Sequence, residues 1–178
     1  MKTLLDIFFA TVLFVVLLPF LLIVALLIFF ADFNSPIFMQ ERLGTQKLPF
    51  KIIKFRTMLE GEITLIGRLL RKTGIDELPQ LINIIFMDMS FVGPRPLTEQ
   101  DVLRLGWDKD YYVQRWNLKP GIVGLAQLAP ICHKKMSWHL DLYYIKHQTL
   151  YLDAQVIMSA VLIPFVGKEK VKKWMHKR

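Results

Sequence analysis

The chain has one cysteine, Cys132, in 178 residues. An internal disulfide is excluded, and a reducing compartment fits. Two-cysteine zinc sites go with it. The four histidines, His133, His139, His147 and His176, lack HExxH-type spacing. No transition-metal set remains, while an oxygen-ligated Mg²⁺ stays open. Acidic residues are few beside basic ones, 15 against 23, and the net charge of +8 points to an anionic partner. Lipid headgroups, nucleic acid or a phosphorylated substrate would serve. No RNA- or DNA-binding motif occurs, and the cations lie beside strongly apolar segments, which argues against nucleic acid.

Charge is absent from residues 7–31, a run bracketed by Asp6 and Asp32. As a straight helix this run would be about 37 Å long, against about 30 Å for a bilayer core. A secretory signal fits less well, because the run is too long and has no small-x-small cleavage site. Pro19 lies at its middle, where proline removes one helical hydrogen bond and tends to kink the helix. Two readings stand: a kinked spanning helix, or a re-entrant hairpin that enters one leaflet and returns. Length does not decide between them; composition alone favours spanning. The basic domain that follows should stay cytoplasmic, and spanning would then export Lys2, which argues mildly for re-entry. The organisation expected is a membrane segment over 1–32 and one domain over 33–178.

Residues 33–58 alternate apolar and polar positions, with Gly44 and Pro49 between two short runs, which predicts a small hairpin. Lys47, Lys51, Lys54 and Arg56 make it basic. Such cations are most simply a solvated or lipid-facing surface; the sharper reading sets Lys54 or Arg56 against a phosphate. The stretch 59–72 reads as a linker into a basic helix or turn, with Arg71 a further phosphate candidate.

The most informative stretch is TGIDELPQLINIIFMDMSFVGPRP, residues 73–96. Asp76 and Glu77 are adjacent carboxylates three and two residues ahead of Pro79. Proline in a first turn marks a helix start, and Asp76 then falls at or near the N-cap. The plain reading is a capped helix over 77–87, apolar on most sides and either buried or laid on a membrane. The functional reading is that phosphates and their metal ions gather at such a terminus. Paired carboxylates can also supply a nucleophile and a proton acceptor. In GPRP, Arg95 between two prolines presents a guanidinium with little backbone freedom, suited to phosphate. Capping a carbonyl or pairing with a carboxylate is the plainer role for it.

Residues 98–118 read as a polar helix with Trp107, Tyr111, Tyr112 and Trp116 as core or as an interfacial belt. KPGIVGLAQ, 119–127, is a loop whose glycines let backbone approach a ligand. Residues 137–164 read as a helix pair. The end, KEKVKKWMHKR, has six cations against one Glu, and suits an anionic membrane surface or a solvated tail.

Taken together, SPIFMQERLG, FKIIKFRTM, GRLLRKTGIDELPQLINII, DMSFVGPRPL, KPGIVGLAQ and LDLYYI ahead of LYLDAQVI resemble the bacterial sugar transferases, the monotopic phosphoglycosyl transferases. The size is similar to their minimal catalytic module. The resemblance implies an α+β fold, mainly helical. Its parts would be a re-entrant helix hairpin broken near Pro19, a short β-hairpin and amphipathic interface helices on the cytoplasmic face of the inner membrane. It implies transfer of a phospho-sugar from a UDP-sugar to undecaprenyl phosphate with release of UMP, the first membrane step of surface glycan or glycoprotein glycan assembly. Carried over, Asp76 is the covalent nucleophile and a Mg²⁺ ligand, and Glu77 is its partner. Arg95, Lys54, Arg56 and Arg71 bind phosphate, and Pro94, Gly121, Gly124 and Gln127 lie near the donor. A homo-oligomer is compatible with it.

The sequence departs from the family at Thr3, at Leu18 before the proline, and at Met87, where glycine is usual. It also departs at Leu128-Ala129-Pro130-Ile131, where Asn-Gly-Arg is common. His133, Lys134 and Lys135 are then the nearest cations to stand in. The rival reading, from another class, is a non-catalytic membrane module that binds anionic lipid. Such a module needs no carboxylate pair.

Overall fold

A computed structural model describes residues 1–129 and 133–167. The basic tail 168–178 and residues 130–132 lie outside the described residues. Among those described, the protein is mainly helical, with three two-stranded sheets.

The uncharged run forms α1 (Lys2–Asp32), one helix with Pro19 inside it. Its 31 residues give a length of about 46 Å. It is the one described helix long and apolar enough to cross a membrane. Phe8, Phe9, Val15, Val16, Leu27 and Phe30 are exposed on it. Bare apolar surface on this scale needs a cover, and lipid suits the composition. One line of α1 is buried. Leu21, Val24 and Ile28, spaced by three and four, pack with Phe55 and Leu70. Phe14 and Leu17, before Pro19, join the same cluster, as do Ile75 and Leu78 on either side of the carboxylate pair. The apolar helix and the Asp76–Glu77 segment therefore share one core.

The chain forms two compact units, one of Met1–Glu41 with Lys51–Met87, the other of Arg42–Phe50 with the described part of Asp88–Arg178. β1 (Ile37–Leu43) and β2 (Pro49–Phe55) pair across residues 44–48, as the alternation predicts. In the first unit β3 (Met58–Leu59) and β4 (Glu62–Ile63) form a second, antiparallel pair where the sequence reads as linker. Its turn places Glu60 at φ 50 and Gly61 at φ 87. Positive φ at both positions is the tight hairpin geometry, and glutamate is an unusual occupant, so the turn carries little signal. α2 (Leu65–Thr73) starts at Thr64, whose hydroxyl accepts from the Gly67 amide, and ends at Gly74.

A 3-10 helix, Ile75–Gln80, then leads into α3 (Leu81–Ile85). This corrects the helix expected over 77–87. The element starts at Ile75, and five residues of it are α-helical. Leu81 and Ile84 are each 1% exposed, while Phe86 and Met87 at the end of the run are exposed.

In the second unit β5 (Ser90–Val92) and β6 (Gly121–Val123) are parallel, Ser90 opposite Gly121 and Val92 opposite Val123. A parallel pair needs a long crossover, which residues 93–120 supply. That crossover holds α4 (Glu99–Leu105), entered through a Thr98–Asp101 capping box, and a 3-10 helix, Asp110–Asn117. The single helix expected over 98–118 is thus two pieces, divided after Gly106 takes φ 60. α5 (Leu125–Leu128), α6 (Lys134–His147) and α7 (Leu150–Val166) follow, the last two forming the expected pair. Trp107 and Trp116 are core residues, packed with Leu97, Val102 and Trp138.

Candidate active site

Asp76 and Glu77 occupy the first turn of the 3-10 helix. Gly74, at φ 74, makes the sharp entry that turns the chain from α2 into this element. The N-cap position belongs to Gly74, and Asp76 makes no hydrogen bond to any other described residue. The capping role is therefore not taken up. Glu77 is engaged instead: Lys54 Nζ donates to its Oε1 at 2.6 Å.

Lys54 arrives there because Asn83 staples α3 to β2. Asn83 Oδ1 accepts from the Ile53 amide at 3.0 Å, and its Nδ2 donates to the Lys51 carbonyl at 2.8 Å. Asn83 is 2% exposed, and a buried carboxamide in an apolar run requires such partners. Lys54, next to Ile53, is thereby held at Glu77.

Burial raises the Asp76 carboxyl above its ordinary proton affinity, and the Glu77 charge adds to this. Lys54 and Arg71 pull it back down. Arg71 is itself oriented, its Nε donating to Thr57 Oγ1 at 2.8 Å. Lys54 and Arg71 are thus brought to the carboxylate pair. Arg56 is occupied elsewhere. Its terminal nitrogens donate to the two Asp32 oxygens at 2.7 and 2.6 Å, and its Nε to the Ser35 carbonyl at 2.7 Å. This bidentate fork ties the end of α1 to the end of β2. Gln80 is 1% exposed, and its Nε2 meets no partner among the described residues. It is an orphaned donor three residues after Glu77, and the sequence reading passed over it.

The second unit carries the other candidates. Pro94 and Pro96 are buried while Arg95 between them is exposed. The Arg95 guanidinium makes no ion pair or hydrogen bond among the described residues, so neither plain role is filled. Gly121 and Gly124 take close approach from the chain itself. A Cβ on Gly121 would strike the Gly93 amide, and one on Gly124 would lie 2.7 Å from the Gly93 carbonyl oxygen. Gln127 Nε2 reaches the Ile122 carbonyl at 3.4 Å. These residues seat β6 and α5 beneath the GPRP loop. The sequence reading missed Arg115 and Asp141, a buried pair, and Tyr144, whose hydroxyl lies 2.6 Å from Asp153 Oδ1 and 3.0 Å from the Val92 carbonyl. Their separations of 9 to 52 residues leave no local pattern to read.

No group of three or more His, Cys, Asp or Glu side chains converges among the described residues, so no all-protein cage is built from them. Mg²⁺ takes one or two protein carboxylates and completes its shell with water and phosphate oxygens. Asp76 beside Glu77 fits that pattern, since a divalent cation would relieve their mutual repulsion.

Residues 1–167 match the model of the bacterial sugar transferases, and the chain belongs to that family. It is 38% identical to an uncharacterized sugar transferase of Bacillus subtilis, over 72% of this chain and 69% of that protein. A UDP-glucose:undecaprenyl-phosphate glucose-1-phosphate transferase of Klebsiella pneumoniae is 32% identical over 94% of this chain, which spans 40% of that protein's length. An exopolysaccharide production protein of Rhizobium leguminosarum is 32% identical over 91% of this chain and 94% of its own length.

Proposed function

We propose that the chain transfers a sugar phosphate from a UDP-sugar to undecaprenyl phosphate, with Asp76 as a covalent nucleophile. The observation that carries this is the state of the Asp76 carboxyl. It makes no hydrogen bond to another described residue and is raised in basicity, beside a Glu77 that Lys54 pins in place. Family membership and the relatives' names support the two substrates. Those names differ in the sugar, glucose in one and N-acetylgalactosamine in another, so the proposal extends to the UDP-sugar class.

An Asp76 oxygen attacks the β-phosphorus of the donor. The new O–P bond forms as the bond to the bridging oxygen breaks, and UMP leaves with that electron pair. A phosphate oxygen of undecaprenyl phosphate then attacks the same phosphorus and returns Asp76 as a carboxylate. A more basic carboxylate is the better nucleophile once ionised. Lys54 and Arg71 lower the cost of bringing an anion to it, and Arg95 offers a fork for phosphate. Glu77 assists the acceptor or the metal. Mg²⁺ held by Asp76 would supply neutralisation of phosphate charge.

On this reading the chain works at the cytoplasmic face of the inner membrane, with α1 re-entrant and bent at Pro19. The core that α1 shares with Ile75 and Leu78 supports a role for α1 in setting the depth of Asp76. The test supplies the purified chain with Mg²⁺ and a panel of UDP-sugars. Expected are UMP release and a sugar-phosphate adduct by intact mass, both lost in Asp76→Asn. No UMP and no adduct with any donor would leave the lipid-binding reading in its place.

A further inference from the structure

We propose that Arg115 is a positioning residue, which aims Arg95 at the donor phosphate from a buried mount made by Asp141, Trp107 and Trp116. This rests on the transferase reading and deepens it by naming what holds the phosphate-binding arginine.

The loop that carries Arg95 is braced carbonyl by carbonyl. The Val92 carbonyl lies 3.0 Å from the Tyr144 hydroxyl. The Pro94 carbonyl accepts from the Gly121 amide at 3.0 Å, and the Leu97 carbonyl from the Leu43 amide at 2.8 Å. The Pro96 carbonyl accepts from Arg42 Nη1 at 3.3 Å. The carbonyl of Arg95 itself accepts from Arg115 Nη2 at 2.5 Å. The residue before a proline is confined to extended backbone, so Arg95 has little torsional freedom left. Arg115 supplies the contact that fixes its peptide plane.

Arg115 is 3% exposed, and its Nε donates to Asp141 Oδ2 at 3.0 Å. Its guanidinium carbon lies 5.2 Å from the Trp107 ring and 5.2 Å from the Trp116 ring. The fork thus spans from α6 on one edge to the Arg95 carbonyl on the other, with indoles holding its plane. Stability is a poor reason for such a pair, because apolar replacements of buried ion pairs are often neutral or stabilising. Apolar side chains could fill this space, but none could donate to the Arg95 carbonyl. Lysine could keep the charge opposite Asp141 without the planar two-edged fork.

The test measures UDP binding with Mg²⁺ by calorimetry, alongside UMP release and unfolding temperature. The variants are Arg95→Ala, Arg115→Lys, the apolar pair Arg115→Met/Asp141→Leu, and each Arg115 variant combined with Arg95→Ala. Loss of the Arg95 contact is expected to weaken UDP roughly tenfold to a hundredfold, the scale of a hydrogen bond to a charged group. Arg115→Lys and the apolar pair should weaken UDP comparably, the apolar pair without a lower unfolding temperature. Neither should cause further loss once Arg95 is alanine. Wild-type affinity in Arg115→Lys, an Arg95→Ala variant that binds UDP normally, or losses that multiply would each overturn the proposal while UMP release still upholds the transferase. A wild-type chain that neither binds UDP nor releases UMP would overturn both.

Discussion

Lys54 Nζ stands 2.6 Å from Glu77 Oε1, while the adjacent Asp76 carboxyl has no such bond to any other described residue. One cation thereby makes two neighbouring carboxylates chemically unlike. Unlike environments for paired acids are how a site divides the roles of nucleophile and assistant.

Lys54→Met removes one of the two cations that lower the proton affinity of Asp76. The nucleophile must be ionised, so the acid limb of kcat/KM against pH should move to higher pH. At neutral pH the rate should fall by about tenfold or more, the worth of one charge interaction of about 1.4 kcal/mol. An acid limb that stays in place would show that Lys54 does not act on Asp76.

Asp76→Asn should raise the unfolding temperature at neutral pH while abolishing activity. The folded chain holds the Asp76 proton more tightly than the unfolded chain, whose carboxyl keeps the ordinary value of 3.8. Stability therefore falls as pH rises from 3.8 through the folded value, and the loss is complete above it. The advantage of asparagine should shrink on acidification and vanish below 3.8. Thermal melts of both proteins across pH check the sign.

Asp32→Asn and Arg56→Met should each lower the unfolding temperature, and the double variant should lose little more than either. That non-additivity is the signature of a pair acting together. Both should keep wild-type affinity for UDP. Weakened UDP binding in Arg56→Met at unchanged stability would return Arg56 to the phosphate.

Met87 holds φ 66 at the position where the family resemblance leads one to expect glycine. Its side chain is 55% exposed, so little packing is at stake. Met87→Gly should stabilise the chain by about 1 kcal/mol, the cost of left-handed backbone in a residue with a Cβ. Urea unfolding of the two proteins measures this directly.

For the membrane arrangement, a cysteine at Lys2 in a Cys132→Ser background should be protected from a periplasmic thiol reagent in intact cells. Labelling there would establish a spanning α1.

The parts of the fold that could be read from sequence are those with sustained periodicity. Alternation within 33–58 announced β1 and β2, and apolar spacing over 137–164 announced α6 and α7. The carboxylate pair was legible because its residues are adjacent. Asn83 was not, since an amide among isoleucines signals nothing until β2 lies beside it. Arg115 and Asp141 are 26 residues apart, and their pairing depends on how α6 packs rather than on any local rule. β5 and β6 are three residues each, too short for a pattern, and their parallel pairing is set by the Gly93–Gly121 approach.

The open flank of α1 bears on how the protein must be weighed. Phe8, Phe9 and Phe30 cannot face water in a purified sample, so an amphiphile collar will travel with every particle. Its mass adds to that of a 20.9 kDa polypeptide, and gel-filtration size will overstate the number of subunits. Light scattering that separates polypeptide from surfactant is the measurement that counts chains.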